Sequence, residues 1–217
     1  RALTALPGLR LRLDKAAGER LSDGQLERLA YLVFLHDCGK TNGGFQARID
    51  PRKPPVGHIA PLAAIFGKAP DMASAQRACE ILNDARLASW GESVPDLLDV
   101  IFSHHGAPWP HEEPGTRYRG HWQPSDSYDC WSSLAELARA ADAYFPTVDS
   151  VADALPGNSR FLHAVAGLVQ LADWIGSAAW SARDTEPPTP GWEGRALSHI
   201  GVDPQPWRAS LGTPDFA

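Results

Sequence analysis

The sequence predicts an all-α fold. Apolar residues recur at helical spacing behind recognisable N-caps, and no segment alternates convincingly as a strand. Glycine and proline clusters fall between the periodic segments, where they punctuate rather than interrupt them.

Taken in order, residues 1–20 mix Leu with Arg10, Arg12 and Lys15 and show no clear period. A helix start is then well marked. Ser22 is a candidate N-cap, and Gln25 completes a capping box. Leu26, Leu29, Ala30, Val33 and Phe34 follow on one helix face, with Leu32 and Leu35 adding apolar surface on the other side. This helix runs into His36 and Asp37. Residues 38–57 carry Gly39, Gly43, Gly44, Pro51, Pro54, Pro55 and Gly57, a loop or broken segment. His58 to Phe66 reads as a helix ended by Gly67. Asp71 can cap the next through Leu87. Ser93, with Pro95 in the first turn, opens another bearing Leu97, Leu98, Ile101 and Phe102. That helix delivers His104 and His105 just before Gly106.

Residues 106–127 form a long loop. Ser127 to Ala143 is a helix with Trp131, Leu134, Leu137 and Ala138 as its stripe. Ser159 to Ala179 is a strongly periodic helix bearing Leu162, Val165, Ala166, Val169 and Ala172, followed by Asp173. From Asp184 onward proline is dense. We expect one domain over 1–183 and a Pro-rich tail or linker over 184–217. No internal repeat is visible.

Composition removes several function classes. Twenty Lys and Arg against 26 Asp and Glu leave a net charge of −6 over 217 residues, unlike a basic DNA coat. No apolar run approaches the ~18 residues of a membrane helix, and no start resembles a secretion signal. An odd number of scattered cysteines, Cys38, Cys79 and Cys130, argues against a disulfide scaffold and for a reducing cytoplasm. The start at Arg1 predicts a trimmed N-terminus.

Four short stretches place metal-binding side chains at or near helix ends: His36-Asp37 in LHDCGK, His58 in VGHIAP, His104-His105 in SHHG and Asp173 in LADWIGS. Imidazole and carboxylate together suit divalent first-row metals. A carboxylate can bridge two of them, and a two-metal site can activate water and clamp both oxygens of an in-line phosphoryl displacement. Each piece alone also has a plain structural explanation. A single His can be a hydrogen-bonded core group. Asp173, unfavourable inside a helix, can be balanced by an N–H or an Arg instead of a metal.

The order HD, H, HH, D in a helical chain resembles the HD metal-dependent phosphohydrolase superfamily. More narrowly, LHDCGKTNGGFQ (35–46), GH (57–58), SHHG (103–106) and LADWIGSA (171–178) resemble the HD nuclease domain of the type I CRISPR-associated helicase-nuclease. The lysine after HDxG, the FQ that follows and the D-W-I-G-S run are more specific than HD itself. The likeness spans about residues 25–182.

The resemblance implies an HD-domain helical bundle and two divalent metal ions (Mn, Mg, Ni, Co or Fe). It implies that Asp37 bridges them, that His36 and Asp173 belong to one, and that His58, His104 and His105 complete the other. Lys40 would sit near the scissile phosphate, or else serve as a helix C-terminal lysine. Ser177 would contact substrate or support the site, or else bond the helix backbone. The family's additional upstream His has no counterpart here, since no His precedes His36. The implied activity is metal-dependent endonuclease cleavage of single-stranded DNA in CRISPR antiviral interference. The implied partners are a superfamily 2 helicase of the same protein and the surveillance complex, Cascade. The alternatives are an HD-type nucleotide or cyclic-nucleotide phosphohydrolase, and a degenerate metal-binding module without activity.

A nuclease must approach a polyanion. Arg48, Arg52 and Lys53, and Arg117 with Arg119, are local basic clusters that can guide a strand. Trp109, Tyr118 and Trp122 can stack bases, or Trp109 and Trp122 can pack the loop onto the body. His111, His121 and His163 are not expected as ligands, and Cys38 is expected to fill space.

Overall fold

A computed structural model describes residues 7–50, 52, 54–150 and 153–181. These residues form helices and turns with a single isolated bridge, Ser125 to Tyr128, and no strand. The all-α expectation is met. The proposed boundary at 183/184 and the Pro-rich tail lie outside the described residues, as does Lys53.

The first helix, α1 (Pro7–Ala17), occupies the stretch that shows no period in the sequence. Its Leu and Arg residues alternate, and of its leucines only Leu13 is fully buried while Leu11 lies 56% exposed. Gly18, at φ +82°, ends it in a conformation that favours glycine.

Helix α2 (Asp23–Phe34) starts where the capping box predicts: the Gln25 amide donates to Ser22 Oγ, and the Ser22 amide donates to Gln25 Oε1. Its buried face differs from the expected one. Arg28, Leu29, Tyr31 and Leu32 are buried, whereas Ala30 is exposed and Leu26, Val33 and Phe34 are half-buried. Two polar residues turn it. Gln25 Nε2 donates to Ala154 O at 2.7 Å, and Arg28 donates to Val148 O and Asp153 O at 2.9 and 2.7 Å. Hydrogen-bonded in this way, they can lie inside.

The chain then tightens into a 3₁₀ turn, Leu35–Thr41, followed by the one-turn helix α3 (Gly43–Gln46) and a further 3₁₀ turn, Ala47–Ile49. The helix expected over 58–66 begins later, as a 3₁₀ turn Ala60–Leu62 leading into α4 (Ala63–Phe66), with Pro61 in its first turn. His58 stands just before it.

Helix α5 (Met72–Leu82) is capped by Asp71 as expected, but stops at Asn83, whose φ of 54° breaks the expected run to Leu87 and opens α6 (Asp84–Ala88). Helix α7 (Val94–Phe102) follows Ser93, whose hydroxyl donates to Leu155 O instead of capping. Helix α8 (Cys130–Tyr144) starts at Asp129, not Ser127, because the Asp129 carboxylate accepts the Trp131 amide at 2.9 Å. Helix α9 spans Ser159–Ser181. Its buried stripe is Phe161, Val165 and Val169; Leu162 and Ala166 are half-buried and Ala172 is exposed.

Helix α9 packs against α7 and α1, while α8 packs against α5 and the 35–41 turn. One core of Tyr31, Trp90, Phe102, Trp122, Phe161 and the central leucines lies between them. Tyr31 and Trp90 meet edge to face at 5.2 Å. The loop after α7 is pinned to this body. Trp109 Nε1 donates to Asp99 Oδ1 and Trp122 Nε1 to Pro61 O, and both rings are buried. They pack the loop and offer no face for base stacking. Among the described residues no helix is long and apolar enough to cross a membrane.

Candidate metal centre

Four segments distant in sequence meet at one place. The 35–41 turn brings His36, Asp37 and Lys40, the turn before α4 brings His58, the end of α7 brings His104 and His105, and α9 brings Asp173 and Ser177. Asp173 continues the buried stripe of α9 at the i, i+4 spacing from Val169.

Asp37 lies at the centre, with its two oxygens facing different neighbours. Oδ1 is 3.2 Å from His58 Nε2 and 4.0 Å from His104 Nε2. Oδ2 is 3.2 Å from His36 Nε2 and 2.5 Å from Lys40 Nζ. His58 Nε2 and His105 Nε2 approach to 3.1 Å, and His36 Nε2 stands 3.7 Å from Asp173 Oδ1. Ser177 Oγ donates to Asp173 Oδ1 at 3.4 Å, so its bond runs to the carboxylate and not to the helix backbone.

Two histidines are oriented by the backbone. His36 Nδ1 lies 2.8 Å from Val33 O, and His104 Nδ1 lies 2.9 Å from Ile101 O. A proton on each Nδ1 serves these carbonyls and leaves the Nε2 lone pair facing inward, the arrangement found in metal-binding imidazoles. Gly106, at φ +81°, turns the chain away directly after His105.

The electrostatics follow from this crowding. Burial opposes ionisation of Asp37, but the His36 and His58 imidazoles that face it and the Lys40 ammonium hold its carboxyl far below the usual range. For His36 burial acts downward, yet Asp37, the Val33 carbonyl and Asp173 together raise its pKa. Burial lowers that of His104, and the charges of His36 and His105 act in the same direction, against the Ile101 carbonyl and Asp37. Cys38, behind Asp37, is pushed up to about 12 by burial, so it is a neutral space-filler.

The donor set fits divalent metal. His36 Nε2, Asp37 Oδ1 and His104 Nε2 are buried and satisfy no hydrogen bond. Each such group costs about 1–3 kcal/mol when left unpaired; three converging at one point are better matched by a cation than by chance misfit. Two triads have ligand atoms within 4.8 Å of one another: His58, His104 and His105, and His36, Asp37 and His104. His104 thus faces both groups. Asp173 approaches His36 but belongs to neither triad.

A cleft of about 400 Å³ opens beside the centre, lined by His36, Asp37, Lys40, Ala172, Asp173, Gly176 and Ser177. Trp174, next to Asp173, is 68% exposed. Arg48, Arg52, Arg117 and Arg119 are exposed; Arg52 pairs with Asp50 and Arg117 with Glu113. His111, His121 and His163 take part in neither triad.

Sequence reasoning did not assign roles to the residues that hold these segments together. A β-carbon on Gly39 would stand 1.9 Å from His58 O, so the glycine of HDCG is what lets the His58 turn approach. Asn42 is fully buried beneath it. The Phe of the FQ pair lies edge to face against the His58 ring.

Among known proteins, the family model described as "Cas3, HD domain" matches residues 3–180. No curated protein and no solved structure matches this chain.

Proposed function

Because the chain belongs to the family of Cas3 HD domains, we propose that it is the metal-dependent endonuclease domain of a CRISPR interference system, hydrolysing phosphodiester bonds of single-stranded DNA. The observation that carries this reading is Asp37, a carboxylate with one oxygen toward His58 and His104 and the other toward His36 and Lys40.

In this reading two divalent ions would share Asp37 as a ligand; His58, His104 and His105 would hold one, and His36 with Asp173 the other. Bound there, the ions would supply Lewis acidity that activates water and stabilises the oxygens of an in-line displacement. The chain's own residues do the rest. Backbone carbonyls orient the His36 and His104 rings, and the surrounding imidazoles and the Lys40 ammonium favour the ionised Asp37. Lys40 offers a positive charge at the edge of the cleft for the charge developing on the phosphate. Ser177 steadies Asp173. Arg48 and Arg119 guide the strand toward the centre. A superfamily 2 helicase and the surveillance complex are the partners that would deliver it.

Among the described residues the cleft lining has no aromatic side chain other than His36 against which a base could stack. That favours a substrate gripped by its phosphates over a free nucleotide. The test is cleavage of circular single-stranded DNA with Mn²⁺, beside a panel of nucleotides and cyclic nucleotides. We expect DNA cleavage that Asp37→Ala and chelation both abolish. Cleavage surviving either one, or turnover confined to the nucleotides, would overturn the assignment.

A further inference from the structure

His36 and His104 are each fixed by a backbone carbonyl at Nδ1. Among the described residues His58 has no such partner, although its Nε2 lies between Asp37 Oδ1 and His105 Nε2. Something else must set its ring. The 42–46 segment is placed to do so. Asn42, fully buried, uses its side chain in three directions. Its Oδ1 accepts the Phe45 amide at 2.8 Å, and its Nδ2 donates to Gly39 O at 2.6 Å and toward Gly57 O at 3.4 Å. One amide therefore joins the turn that carries Asp37, the turn that carries His58 and the start of α3. Phe45, placed by that cap, sets its ring against the His58 imidazole at 5.5 Å and 84°, edge to face. Arg48 covers the Phe45 ring with its guanidinium at 4.7 Å.

We propose that Asn42 and Phe45 are positioning residues for metal binding, the amide fixing the distance between the Asp37 and His58 turns and the ring fixing the orientation of the His58 imidazole. This rests on the reading of His58 as a metal ligand. The Phe of the FQ pair thereby replaces, by ring packing, the carbonyl that orients His36 and His104. Groups outside a metal's ligands commonly contribute 10–100-fold to affinity.

The experiment is a Co²⁺ titration of the metal-free 217-residue chain, followed by visible absorption, with metal-free thermal melting in parallel. Phe45→Leu keeps an apolar side chain at this half-buried position and removes the ring. Asn42→Ser keeps a short capping oxygen and removes the bridging amide. We expect each to weaken Co²⁺ binding about 10-fold or more and to alter the cobalt spectrum, with Phe45→Tyr restoring both. In a His58→Ala background Phe45→Leu should change Co²⁺ binding no further. Unchanged binding in Phe45→Leu and Asn42→Ser, or equal loss with and without His58, overturns the positioning role alone. Co²⁺ binding by His58→Ala that equals the parent's overturns the ligand reading and the proposal with it.

Discussion

Lys40 places its ammonium 2.5 Å from Oδ2 of Asp37, so the central carboxylate already has one cation on the side facing the cleft. The pair is partly exposed, so its contribution to stability is about 1 kcal/mol or less. In the proposed reading its importance lies in the reaction. Lys40→Met should lower the DNA cleavage rate on the order of 10²–10³-fold, as loss of one charge-stabilising donor does. Metal content by elemental analysis and the melting temperature should stay near those of the parent. A loss of metal instead would make Lys40 part of ion binding.

Divalent metal should stabilise the fold. Free ion at about 100 times its Kd adds about 2.7 kcal/mol, which for a chain of this size raises Tm by about 5–10 °C. Scanning calorimetry with and without Mn²⁺ measures it, and chelation should reverse it. His105→Ala, at an exposed position, should remove most of the rise without lowering the metal-free Tm.

Gly39→Ala inserts a β-carbon 1.9 Å from His58 O. The His58 turn must retreat. Overpacking of this kind costs about 1–3 kcal/mol, and here it also separates His58 from Asp37. Chemical denaturation should show the stability loss, and metal affinity should fall with it.

The helix starts at Ser22 and Asp71 were legible because a cap and the amide it serves are neighbours in sequence. The face of α2 was not, because Gln25 and Arg28 go inside to meet carbonyls at 148–154 that no local pattern reveals. For α1 the alternation of Leu with Arg hid the single anchor, Leu13. The side chains that converge on Asp37 were all legible in their motifs. Asn42 was not, because its value is the joining of two turns fifteen residues apart, which only the folded chain displays.

Stability should decline in alkali in a definite window. Burial raises the Tyr31 pKa from 10.0 to about 12. The folded state therefore keeps its proton where the unfolded state has lost it. The contribution is complete below pH 10 and is lost as pH rises toward 12. Tyr31→Phe removes the bond to Asp142, at a cost of about 1 kcal/mol at neutral pH. It should also flatten the alkaline decline, read by denaturant titrations across that range.

The thiols should divide in the native state. Cys79 is exposed, whereas Cys38 and Cys130 are buried, and burial pushes them up to about 12 and about 11. A disulfide reagent should therefore react promptly with Cys79 alone and reach the other two only on unfolding. Burial also raises the Cys79 pKa, so even that reaction should run slower than with a free thiol at neutral pH.

Asp173 closes a site whose other members begin at His36, and it sits on a helix whose docking face packs against α7 and α1. During synthesis the chain leaves the ribosome from its N-terminus. The HD turn and the paired histidines can assemble first, but the last carboxylate arrives only after α9 has emerged and settled. Nascent chains are thus without a finished centre until α9 has emerged. On the proposed nuclease reading, this order gives the chain a period of inactivity while it is still attached to messenger RNA.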